Sequence, residues 1–233
     1  EYSEKMDELY SLGGTSGGAR PKILTEIDGE DWIIKFPTYV DERDAGMIEY
    51  QYLICAGKCG INMPQTRLFH SDKCQGYFGV KRFDRKKENN ETKKIHMLTA
   101  AALLEIYFNQ PCMDYNDLMK LTKILTNNNW DDIDNMYRRM CFNVYAHNRD
   151  DHAKNFTYIY DEENETWRLS PAYDLTYSNT YYGEHTTTVA GNGRNPGIKE
   201  LTEVGVNAGL KKQYCEEVAG EIRGLVEDML NNY

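Results

Sequence analysis

The sequence predicts an α+β fold in two lobes, a strand-rich lobe over residues 1–85 and a larger helical lobe over residues 86–233. Three observations carry that expectation. Short runs of β-branched and aromatic residues broken by turn residues fill the first 85 positions. Apolar residues recur at helical spacing over most of the remainder, and a polar tract, KKENNETKK at 86–94, separates the two textures.

Taken in order, Ile23–Ile27 and Trp32–Phe36 flank Asp28-Gly29, the strongest short hairpin signal. A helix over about Arg43 to Lys58 is closed by Gly60 and followed by Pro64. Thr66–His70 and Tyr77–Arg82 make a second hairpin around a polar loop, and the 86–94 tract is expected as a solvated surface loop. Ile95–Asn109 is apolar enough for a core helix, and Asp114–Thr126 opens with acidic residues in its first turn. Asp131–Ala146 carries Ile133, Met136, Tyr137, Met140 and Val144 at the spacing of a core-facing stripe. A polar loop, 147–155, leads to strands Phe156–Tyr160 and Thr166–Leu169. Residues 176–208, rich in Gly, Asn and Thr, are expected to be irregular, and Gln213–Leu230 closes the chain as an amphipathic helix.

Composition narrows the function. The 233 residues are 40% hydrophobic and 27% charged, an ordinary globular balance. Asp and Glu number 37 against 27 Lys and Arg, a net charge of −10, which argues against direct binding of nucleic acid by this chain. No apolar run approaches the roughly 20 residues of a membrane span, and no signal-peptide order appears at the N-terminus. Six cysteines (55, 59, 74, 112, 141, 215) show neither CxxC nor framework spacing, so a reduced, cytoplasmic protein is expected. Cys55 and Cys59 are expected as buried free thiols on a helix.

Four features in a fixed order point to phosphoryl transfer. The segment Gly13-Gly14-Thr15-Ser16-Gly17-Gly18-Ala19-Arg20-Pro21-Lys22 has the backbone freedom to turn its N–H groups onto an anion, although neither standard phosphate-loop spacing is met. Lys35 stands alone in the apolar strand Trp32–Phe36, as the phosphate-holding Lys of a kinase does, and Glu49 follows 14 residues later on a predicted helix. Arg149-Asp150 followed by Asn155 reproduces the Arg-Asp pair and the Asp-to-Asn interval of H-R-D-x-x-x-x-N, in which the Asp addresses the acceptor hydroxyl and the Asn a metal ion. Tyr173-Asp174-Leu175, with its Asp 19 residues after Asn155, stands where kinases place D-F-G, keeping the Asp and lacking the Gly. The spacing gives the neighbouring Asp151 no role. A zinc site at His147 and His152 lacks further ligands at suitable spacing.

Gly14–Lys22 (GTSGGARPK), Ile34-Lys35-Phe36-Pro37, Lys81-Arg82-Phe83-Asp84-Arg85, His152–Phe156 (HAKNF) and Pro171–Leu175 (PAYDL) together resemble the HipA-type serine/threonine kinases, the toxins of bacterial toxin–antitoxin systems. The resemblance spans essentially the whole chain. It implies a two-lobed, protein-kinase-like fold distantly related to lipid kinases, using ATP and Mg2+, with a helix-turn-helix antitoxin as partner. Carried over, Asp150 is the catalytic Asp, Asn155 and Asp174 hold the metal, and Lys35 with Gly17, Gly18, Ala19, Arg20, Pro21 and Lys22 holds the phosphates. Lys81, Arg82 and Phe83 form the hinge against adenine, and His152, Ala153, Lys154 and Tyr173 complete the ATP site. Members of the family autophosphorylate a Ser in the glycine-rich loop, a position that Thr15 and Ser16 share here. Longer members also carry an N-terminal subdomain before that loop. Only about a dozen residues stand there in this sequence, so a fragment, a split-system kinase or a minimal relative is expected.

The catalytic loop does not select the acceptor. A serine/threonine protein substrate is the leading reading, a small-molecule or lipid kinase the alternative within the same chemistry. A catalytically silent binding module is the alternative outside it, and the presence of Lys35, Asp150, Asn155 and Asp174 speaks against that one.

Overall fold

The computed structural model describes residues 6–10, 20–38, 44–88, 91–106, 113–179 and 183–230. The chain divides into two compact units, Glu1–Ile54 with Pro64–Lys94, and Cys55–Met63 with Ile95–Tyr233. The first unit thus runs through Lys94, where the sequence places the boundary after residue 85, and the end of a helix passes to the second unit.

In the first unit, β1 (Lys22–Ile27) and β2 (Glu30–Lys35) form the expected hairpin, with Asp28 and Gly29 at φ 53° and 79°. Positive φ at both central residues defines the turn whose twist matches its strands, which is why Asx-Gly occupies it. β3 (Thr66–Phe69) and β4 (Tyr77–Lys81) complete an antiparallel sheet in the order β1-β2-β4-β3. One face of it buries Ile27, Trp32, Ile34, Phe69 and Tyr77 together with Phe36 and with Met6 from the helical residues 6–10. Asp7 fastens that turn by accepting hydrogen bonds from Ser71 Oγ at 2.8 Å and Tyr77 Oη at 2.7 Å. Helix α1 (Ala45–Lys58) carries Glu49.

The tract expected as a loop is instead an exposed hairpin, β5 (Arg85–Glu88) against β6 (Glu91–Lys94). Strand signals in sequence report burial, and this ribbon buries almost nothing; Lys87 Nζ holds it through Glu26 Oε2 at 2.9 Å.

The second unit is built on α3 (Tyr115–Leu125), α4 (Trp130–Tyr145) and α6 (Lys212–Leu230), with α4 packed against both others. Asp114 caps α3 in a capping box, and Asn129 caps α4 through the N–H groups of Asp131 and Asp132. The predicted stripe of α4 is buried throughout. Strands β7 (Met97–Thr99), β9 (Thr157–Asp161) and β10 (Thr166–Leu169) form a second sheet, ordered β10-β9-β7. Here the expected helix over Ile95–Asn109 gives way. Met97–Thr99 is taken up by β9, and helix α2 is only Ala100–Leu103, capped by the Thr99 side chain and stopped before Glu105 at φ 52°. Residues 107–109 lie outside the described residues.

The stretch 176–208 is less irregular than expected. It holds β11 (Thr187–Thr188), parallel to β8 (Met113–Asp114), and helix α5 (Ile198–Asn207). Gly197 N–H donates to Glu200 Oε2 at 2.9 Å at the start of α5, which buries Leu201 and Val204. The cysteines 55, 59, 74, 141 and 215 are free thiols, with Cys55 and Cys59 buried. Among the described residues no helix is long and apolar enough to cross a membrane.

Candidate active site

In the first unit the ladder places Lys22 directly opposite Lys35. Like charges across a strand pair are unfavourable. Glu49, 3% exposed, answers Lys35: the Lys35 Nζ lies 2.7 Å from its Oε1, and Arg20 Nη1 lies 3.6 Å from its Oε2. The Lys35 ammonium also sits 5.7 Å over the Phe78 ring. Two cations, Lys35 and Arg20, thus meet one buried carboxylate. The Pro21 carbonyl accepts the Phe36 N–H at 2.8 Å, so the end of the glycine-rich segment is tied to the sheet. Thr15, Ser16, Gly17, Gly18 and Ala19 lie outside the described residues.

The Lys-Arg-Phe stretch begins at Lys81, the last residue of β4. Lys81 pairs with Glu30 at 2.9 Å, and the Arg82 guanidinium grips Asp84 in a fork at 2.9 and 2.7 Å. Arg82 N–H donates to the Asp31 carbonyl at 2.8 Å. The Arg82 side chain is therefore fixed by its own turn, and Phe83 follows in the bend.

In the second unit, the loop after α4 brings Asp150, His152 and Asn155 together. The Asp150 side chain is 57% exposed, and its carbonyl accepts Asn155 Nδ2 at 2.9 Å. Its carboxyl is raised above the ordinary carboxylate range, first by burial of the remainder and then by the charges of Asp151 and Asp174, with His152 opposing. His152 Nε2 is 3.8 Å from Asp150 Oδ1, while its buried Nδ1 has no hydrogen-bond partner among the described residues. Ala153–Asn155 form one 3-10 turn.

Asp174 is exposed, at φ 53°, on a loop fixed from both sides. Tyr173 Oη donates to the Lys154 carbonyl at 2.7 Å and bonds Thr157 Oγ1, joining this loop to the Asn155 turn. Behind it, Arg139 is 2% exposed and donates to the Ser170 carbonyl, while the Ala172 N–H donates to the Asn62 carbonyl at 2.8 Å. Burial lowers the Arg139 guanidinium to about 10, which leaves it charged at neutral pH.

The sequence pattern passed over Asp151. It is buried and accepts hydrogen bonds from Tyr115 Oη, His185 Nδ1 and the Thr187 N–H. Arg139 was passed over too; it donates to Asn135 Oδ1 at 3.1 Å on its own helix and to the Ser170 carbonyl, 31 residues away.

A family model for the HipA-like C-terminal domain matches residues 14–230. The chain belongs to that family. Its HipA-like domain is 26% identical over 182 residues to the Y4dM protein of Sinorhizobium fredii, whose name proposes a kinase. That match covers 72% of this chain and 42% of the relative. In structure it is similar to HipA of a Shewanella oneidensis toxin–antitoxin system, solved with HipB and its operator DNA, at a TM-score of 0.75 and 16% identity. The likeness covers 99% of this chain and 65% of that one. It is similar also to CtkA, a proinflammatory kinase of Helicobacter pylori, at a TM-score of 0.58 and 11% identity, covering 94% and 92% of the two chains. The chain therefore spans less than half the length of Y4dM and about two thirds of the Shewanella HipA. The HipA-like domain has a kinase-like fold, strand-rich in its first unit and helical in its second.

Proposed function

We propose that this chain is the catalytic domain of an ATP- and Mg2+-dependent serine/threonine protein kinase of the HipA type, acting in the cytoplasm as the kinase of a toxin–antitoxin pair. The arrangement of Asp150, Asn155 and Asp174 carries the reading: an exposed carboxylate on a loop closed by Asn155, and a second exposed carboxylate on a loop that Tyr173 ties to the same turn. Asp150 orients the acceptor hydroxyl and receives its proton, and a carboxyl raised above its usual range suits that task.

The donor set fits Mg2+. Asn155 commits its Nδ2 to the Asp150 carbonyl, leaving the amide oxygen for a cation, and Asp174 adds an exposed carboxylate. Both are hard oxygens. Asn155 and Asp174 would hold the ion with a pair of oxygens, the small protein share usual for Mg2+. When bound, the ion neutralises charge on the transferred phosphate. Lys35, oriented by Glu49, holds the phosphates with Lys22 and the 17–22 segment. Lys81, Arg82 and Phe83 flank adenine, and His152, Ala153, Lys154 and Tyr173 border the nucleotide. Thr15 or Ser16 is the self-phosphorylated residue.

A helix-turn-helix antitoxin is the proposed partner; the Shewanella HipA solved with HipB supports it. The acidic balance of this chain speaks only to its own contact with nucleic acid. The test is incubation with γ-labelled ATP and cell extract. Label on Ser or Thr of protein supports the proposal, label confined to lipid or small molecules moves the acceptor class, and no transfer overturns it.

A further inference from the structure

Asp151 is 1% exposed, and three donors converge on its carboxylate. Tyr115 Oη at 2.9 Å and His185 Nδ1 at 3.0 Å meet Oδ2, and the Thr187 N–H at 3.1 Å meets Oδ1. The Thr187 hydroxyl donates in turn to the Asp151 carbonyl. Both oxygens of a carboxylate can accept, whereas an amide in the same place offers one accepting oxygen, so Asp151→Asn must re-form at least one of these three contacts. The network continues through Asn143 Nδ2, which donates to Tyr115 Oη at 2.9 Å, and Asn148 Nδ2, which donates to Asn143 Oδ1 at 2.9 Å.

These bonds enclose Asp150. On one side the Arg149 carbonyl accepts both the N–H and the hydroxyl of Thr186, each at 3.0 Å. On the other, Asp151 is held to Thr187 by side chain and backbone. Asp150 itself is held through its carbonyl by Asn155, and its carboxylate, 3.8 Å from His152 Nε2, is more than half exposed. The exposed member of the Asp pair can be placed because the buried member is fixed.

We propose that Asp151 is a positioning residue: its buried carboxylate locks residues 149–151 to the 185–187 segment and so sets where Asp150 meets the acceptor hydroxyl. The catalytic consequence rests on the kinase reading, whereas the lock does not. Displacing a reacting group by about 1 Å costs roughly 10²-fold in rate, which is the scale at stake.

The test compares Asp151→Asn, the milder Tyr115→Phe, and Tyr214→Phe as a matched destabilising control that loses its bonds with Asp134 and Arg138. Three readouts are taken on the full chain below its unfolding temperature: hydrogen exchange of residues 147–155, MgATP affinity by calorimetry, and kcat for transfer. The expected result for Asp151→Asn is faster exchange in 147–155, unchanged MgATP affinity and a kcat lower by roughly 10²-fold. Tyr115→Phe shows the same pattern to a lesser degree, and Tyr214→Phe loses stability with kcat intact. Wild-type exchange and kcat in folded Asp151→Asn overturn the proposal, as they do in Tyr115→Phe should Asp151→Asn fail to fold. An equal fall of kcat in Tyr214→Phe overturns it too. A wild-type chain that neither binds MgATP nor transfers phosphate refutes the kinase reading instead, and the exchange comparison then decides the lock alone.

Discussion

Lys35 Nζ stands 2.7 Å from Glu49 Oε1, across the 14 residues that separate a strand from a helix, and Glu49 is almost wholly buried. A buried carboxylate that orients an ammonium gives a phosphate a prepared partner. Lys35→Ala removes a charge-assisted contact of about 1.5–3 kcal/mol, so MgATP affinity is expected to fall by roughly 10- to 100-fold. Calorimetry showing equal affinity in the two proteins would remove Lys35 from the site.

The α3 cap is a second testable joint. Asp114 accepts from Asn116 N–H at 2.9 Å, Thr188 Oγ1 at 2.6 Å and Gly191 N–H at 2.8 Å. Burial tends to raise its pKa, but these hydrogen bonds outweigh it and hold the carboxyl below its usual value. A depressed folded pKa stabilises fully above the unfolded carboxylate value of about 3.9, and the contribution is lost as pH falls below that through the folded pKa. Asp114→Ala is expected to lose about 0.5–2 kcal/mol at pH 7. Thermal melts of wild type and variant should converge near the acid end; a constant gap from neutral to strongly acid pH would contradict the assignment.

Close packing of α5 and α6 gives a third expectation. A Cβ at Gly205 meets Cys215 Sγ and lies 2.8 Å from Tyr137 Cε2, both buried. Gly205→Ala overpacks this junction and should cost about 1–3 kcal/mol in denaturant unfolding. A neutral or stabilising result would show that the helices separate freely.

Thr15 and Ser16 are expected to take up phosphate from ATP. Intact-mass spectra should gain one or two phosphates in the wild type and none in the Thr15→Ala/Ser16→Ala double variant. An active enzyme without any gain in mass would show that this HipA-like domain lacks self-modification.

Much of this was legible in order and spacing. Asp28-Gly29 specified its turn, and the acidic opening of Asp114–Thr126 marked the start of α3, which Asp114 caps. The misses share a cause: local patterns report only local partners. Met97–Thr99 became a strand because β9 lay beside it. The α5 helix hid behind Gly197, whose cap is completed by Glu200. Asp151 was silent because Tyr115, His185 and Thr187 lie 36, 34 and 36 residues away, distances no motif encodes.

The most direct measurement is kcat and MgATP affinity in Asp150→Asn beside Asp174→Asn. If Asp150 addresses the acceptor hydroxyl, Asp150→Asn loses roughly 10²–10⁴-fold in kcat while its MgATP affinity stays that of the wild type. Asp174→Asn, which removes an oxygen from the cation, weakens Mg2+-dependent nucleotide binding as well as turnover. Asp150→Asn turning over at the wild-type rate would contradict the assignment of this loop, and the mechanism built on it.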